Sequence, residues 1–126
     1  MFDRDKEINE AYKHIKKWSK RWTSRSARKH YTGYASMKRP AQVTYDFILE
    51  LPDKEMNDNG KIVKVSAEDK LNAIYEYMEL KINEELSKGD EYNSDFSFYR
   101  DIMETIDRHW ECIDNERPCV INPVGG

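Results

Sequence analysis

Apolar residues recur three or four positions apart in three separate stretches of this chain, and that spacing constrains its fold more than any other feature. In residues 3–24, Ile8, Tyr12, Ile15, Trp18 or Ser19, and Trp22 line one side of a helix. Lys13, Lys16, Lys17, Lys20 and Arg21 fall mostly off that stripe. Asp3, Asp5, Glu7 and Glu10 precede these bases, an order that complements the helix dipole. The second stretch opens at Ser66, placed to cap a helix with Asp69 three positions on. Leu71, Ile74, Tyr75, Met78, Ile82 and Leu86 then keep helical spacing until Gly89, a residue suited to a helix end. In the third, Phe96, Tyr99, Ile102 or Met103, Ile106, Trp110 and Ile113 share a face, and Pro118 ends the run. Trp22 and Trp110 are expected in the core, Lys17 and Arg21 in solvent.

Between the first two stretches the period changes. From Arg28 to Pro40 the pattern is irregular and reads as a loop or an edge strand, because proline cannot donate to a central ladder. Val43, Tyr45, Phe47, Leu49 and Leu51 then alternate with polar residues, which predicts a strand stopped by Pro52. Asn57-Asp58-Asn59-Gly60 supplies a turn, and Ile62–Val65 reads as its partner in an antiparallel hairpin with a longish connection. Val120-Ile121 has the composition of a short third strand. The expected fold is α+β: an N-terminal amphipathic helix, the hairpin, and two C-terminal helices packed on the sheet. At 126 residues, one domain over 1–126 is the natural count. So small a sheet is marginal alone, so helices must cover its apolar face or a second copy must extend it. A homo-oligomer, at least a dimer, is expected on that ground.

The formal net charge of −3 conceals a division along the chain. Residues 1–40 carry a balance of +8 and residues 41–126 a balance of −11. A basic block of this density either meets an anionic partner or packs beside acidic residues of its own fold or of a second copy. Cys112 and Cys119 are the only cysteines, too few for the disulfide framework of a small secreted domain. His109, Glu111 and Cys112 lie close in sequence but lack a second cysteine or histidine at ligand spacing, so no metal site is read from them. No apolar run approaches the ~20 residues of a membrane span, and Met1–Glu10 has no signal-peptide core. A soluble cytoplasmic protein without membrane contact is expected.

The segment Trp18–Arg39 mixes aromatics with cations. Lys20, Arg21, Arg25, Arg28, Lys29, Tyr31, Tyr34, Lys38 and Arg39 are its candidate binding residues. Aromatic faces stack on bases and cations hold phosphates, so the mixture suits nucleic acid or an anionic nucleotide. Equally, Trp18 and Trp22 fit the helical stripe as core residues. Acidic residues from Glu76 to Asp107 decorate the last two helices, either as a face for a basic groove on another protein or as a solvated surface. Catalytic groups are scattered: His14, His30 and His109 fall in three separate elements, and the five glycines form no phosphate loop. No enzyme, cofactor or catalytic residue is therefore assigned.

In size, in its Lys/Glu/Asn/Tyr-heavy composition and in lacking a catalytic core, the chain resembles small accessory proteins of phages and mobile elements, without a shared motif. That resemblance implies binding to, and blocking of, a host or defence factor. The expectation is thus a non-enzymatic binding protein acting on another macromolecule, most simply a protein, through a charged surface. The alternative is a nucleic-acid or nucleotide binder using residues 18–39.

Overall fold

A computed structural model describes residues 2–23, 34–89 and 94–117. They form four helices and a hairpin in the order α1 (Arg4–Thr23), α2 (Tyr34–Leu49), β1 (Lys54–Met56), β2 (Ile62–Lys64), α3 (Ala67–Ser87) and α4 (Ser94–Asp114). Broadly this is the expected α+β composition, but helix dominates it. Every pair of helices is in contact, most extensively α1 with α2 and α3 with α4. The core lies between them: Ile8, Ala11 and Ile15 of α1 meet Ala41 and Ile48 of α2, Leu71, Ile74 and Met78 of α3, and Phe98, Ile102, Ile106 and Ile113 of α4.

Three helices follow the sequence pattern closely. In α1 the buried line is Ile8, Ala11, Ile15 and Ser19, with Tyr12, Trp18 and Trp22 partly buried beside it. The Ser19 hydroxyl donates to the Ile15 carbonyl at 3.0 Å, so this polar side chain enters the core satisfied. At the start of α3 the Ser66 Oγ accepts from the Asp69 N–H at 3.1 Å. Past its end Gly89 has φ +75°, a conformation glycine adopts without steric cost. In α4 the buried face runs through Phe98, Ile102, Ile106, His109 and Ile113. It is turned slightly from the expected one, leaving Trp110 half-buried at the core's edge beneath the Arg4 guanidinium, 5.7 Å from its ring centre.

The segment Val43–Leu51 departs from expectation: it is no strand, and residues to Leu49 belong to α2. Pro40, Ala41, Thr44 and Ile48 are the buried positions, a helical spacing that outweighs the alternation of Val43, Tyr45 and Phe47. Pro40 and its neighbours, expected in a loop or edge strand, lie inside the same helix. Thr44 is accommodated there because its hydroxyl donates to the Pro40 carbonyl at 2.8 Å.

The hairpin forms later in the chain than expected, pairing Lys54 with Lys64, Glu55 with Val63 and Met56 with Ile62. Its turn is the expected one. Asn57 Oδ1 accepts from the N–H groups of Asn59 and Lys61, at 3.0 and 2.9 Å, and Gly60 has φ +77°. The helices do not cover this sheet. Both strands are exposed throughout, with Met56 and Ile62 at 67% and 64%, and the last two helices pack on α1 and α2 instead. Val120-Ile121 lies outside the described residues. No helix among those described is long and apolar enough to cross a membrane.

Candidate functional site

An open groove of about 520 Å³ runs along the outer side of α1. Lys13, Lys16, Lys17 and Lys20 line it with Glu10, His14 and Tyr45, the last from α2. The spacing along α1 explains the convergence, since residues three and four apart stand one above another on a helix surface. The same helix turns Ile8, Ala11, Ile15 and Ser19 inward, so the cations are left on the opposite flank. Lys13 approaches Glu10 only at 3.9 Å, with 72% of its side chain exposed, which leaves its charge almost fully available. Lys17 and Lys20 are exposed, and Lys16, His14 and Tyr45 are half-buried.

Beneath the groove lies a pair that sequence spacing does not reveal. His14 Nδ1 and His109 Nε2 share a hydrogen bond of 2.7 Å across 95 positions of chain. One nitrogen must donate and the other accept, so the bond requires at least one neutral ring with the matching tautomer. His14 lies nearly parallel to Trp18, with ring centres 6.2 Å apart, and Trp18 in turn leans on Phe98. His14 Nε2 and Trp18 Nε1 are both buried with no hydrogen-bond partner among the described residues. Burial pushes the proton affinity of both histidines down, and Arg108 adds to the effect. His109, which also feels His14, falls to about 4. Both rings are therefore neutral at pH 7, and the groove's positive charge comes from its lysines.

The described candidate residues of the segment Trp18–Arg39 are carried by two helices, α1 and α2. Lys20 joins the groove. Arg21 is exposed farther along α1, as is Lys38 on α2. Arg39 stays at the surface but is engaged: its Nε donates to Asp95 at 3.0 Å and its terminal nitrogen donates to the same oxygen. That oxygen belongs to a carboxylate only 6% exposed, so Arg39 neutralises a buried acid at the start of α4. Tyr34 opens α2, and Arg25, Arg28, Lys29 and Tyr31 lie outside the described residues. Trp18 and Trp22 sit partly buried against the core. Among the described residues the cations of the groove are Lys13, Lys16, Lys17 and Lys20, three of which precede Trp18. Their i, i+3, i+4 spacing was the legible signal, but Tyr45 and His109 came into reach only through packing.

The acidic residues divide as well. Glu85 and Asp95 are buried and held by Lys88 and Arg39. Asp101 is half-buried, which raises its proton affinity. Glu76, Glu79, Glu104 and Asp107 remain exposed. No group of three or more His, Cys, Asp or Glu among the described residues is placed to hold a metal ion. Comparison of the chain with known protein families, with curated proteins and with solved structures returns no match.

Proposed function

We propose that this is a non-enzymatic binding protein that acts on another macromolecule through the lysine-lined groove of α1. The groove carries the reading: four lysines against one glutamate converge with Tyr45 on an open surface. Among the described residues, Lys13 meets a carboxylate only at 3.9 Å, whereas Arg39 is paired closely with Asp95, Lys70 with Asp53 and Arg4 with Glu68. Unmatched exposed cations attract an anionic surface over about a Debye length, ~8 Å at physiological salt.

A cytoplasmic setting belongs to the same reading, as does action against a host or defence factor of the kind that phage and mobile-element accessory proteins block. So does assembly into at least a dimer. The exposed Met56 and Ile62 and the open edges of the hairpin support a second copy there.

The test is retention on immobilised polyanions, polyglutamate and an oligonucleotide, against increasing salt. The wild type should be retained at low salt and released as salt rises. The variant Lys13→Gln/Lys17→Gln/Lys20→Gln should pass unretained while melting at the same temperature, because exposed charges add little to stability. A wild type that ignores both polymers at low salt would overturn the proposal.

A further inference from the structure

We infer that the groove takes single-stranded nucleic acid, with phosphates held along the row Lys13, Lys17, Lys20 and a base stacked on Tyr45. This rests on the groove being the working surface, and it chooses among the anions that surface would accept. Four positively charged tips along one helix flank are a ladder for a linear polyanion, with successive rungs Lys13, Lys17 and Lys20 rising by about 6 and 4.5 Å. The flexible lysine stems adjust that spacing to the strand.

What distinguishes nucleic acid from an acidic peptide is the aromatic group among the cations. Tyr45 comes from a different helix and is brought to the same groove by the packing of α2 on α1. A flat π-face beside lysines is matched by an unstacked base next to its phosphate, whereas a run of carboxylates offers nothing to stack. Duplex is disfavoured for the same reason, since its bases are already stacked on each other.

Glu10 sets one end of the ladder. Its carboxylate, 3.9 Å from the Lys13 ammonium, repels a phosphate beyond Lys13 and so ends the strand's path there. The neutral His14–His109 pair contributes no charge at pH 7, so the salt dependence should report lysines alone.

The experiment titrates a fluorescent single-stranded oligothymidylate, and separately fluorescent polyglutamate, into the full chain at two salt concentrations. With three or four phosphates neutralised, log K should fall with log salt at a slope of about −2 to −3, a loss of about 20- to 50-fold between 50 and 200 mM. The Lys13→Gln/Lys17→Gln/Lys20→Gln variant should flatten that slope. Tyr45→Leu should weaken the oligonucleotide about tenfold or more while leaving the slope unchanged, and Tyr45→Phe should restore it. Melting curves establish that each variant is folded.

Polyglutamate binding with the same lysine dependence, and no oligonucleotide binding, would overturn this inference and leave the binding proposal standing. So would oligonucleotide binding indifferent to Tyr45, which is the response of any polycation surface. Failure of both polymers to bind would overturn the inference together with the proposal beneath it.

Discussion

His14 and His109 show how much a single pair can hold. Each is an ordinary helical residue in sequence, yet their shared 2.7 Å hydrogen bond ties α1 to α4. Because the folded protein keeps His109 neutral down to about pH 4, against 6.5 for a free ring, the unfolded chain binds the extra proton between those values. The stabilisation is complete above pH 6.5 and is lost as pH falls toward 4. Acid should therefore lower stability by roughly 3 kcal/mol across that window. Denaturant titrations at stepped pH would measure it, and His109→Gln should remove much of the slope. An unchanged slope would mean that the carboxylates alone govern the acid limb. Burial also separates two nearby residues of α4. Ile106→Ala, at 1% exposure, should cost about 2–5 kcal/mol, whereas Trp110→Ala, half-buried under Arg4, should cost less than the ~3–5 of a core tryptophan.

At the scale of elements, α2 is the instructive one. Its alternating Val43, Tyr45 and Phe47 suit a strand, but the surface available to it is a helical core with space at Pro40, Ala41, Thr44 and Ile48. Propensity within α2 yields to packing. Its outward residues find partners of their own, with Phe47 stacked on Tyr77 of α3 at 4.0 Å between ring centres. Backbone chemical shifts of Val43–Ile48 should be helical, and strand-like shifts would refute this assignment. In α3 the local signals suffice, and Ser66→Ala should cost about 1 kcal/mol by leaving the Asp69 N–H without its cap. A thermal melt displaced by much less would show that water replaces the cap at no cost.

Across the whole molecule the uneven charge along the chain becomes a spatial one. Lysines gather on the free flank of α1, while exposed acids lie on α3 and α4. The hairpin adds an exposed apolar pair, Met56 and Ile62, flanked on the same face by the opposed Lys54 and Lys64. Like charges directly opposite each other are unfavourable across a ladder, and they deter indiscriminate edge pairing. Light scattering at micromolar concentration should give at least twice the 15.0 kDa of one chain. Met56→Lys/Ile62→Lys should reduce the mass to that of one copy if the hairpin is the seam. A wild-type mass near 15.0 kDa would refute the dimer.

Local chemistry by itself determined α1, α3 and α4, because apolar residues at helical spacing have one economical conformation and Ser66 and Gly89 mark the ends of α3. It determined the Asn57–Gly60 turn for the same reason, since an asparagine side chain and a positive-φ glycine close it within five residues. The lysine flank of α1 followed from the helical repeat alone. Only the tertiary structure decided that Val43–Leu49 is helical, that the small sheet stays uncovered, and that Arg39 neutralises Asp95. It alone brought Tyr45 to the lysines and His109 to His14. These outcomes depend on which surfaces meet across 25 to 95 positions of chain, and no local period encodes that distance.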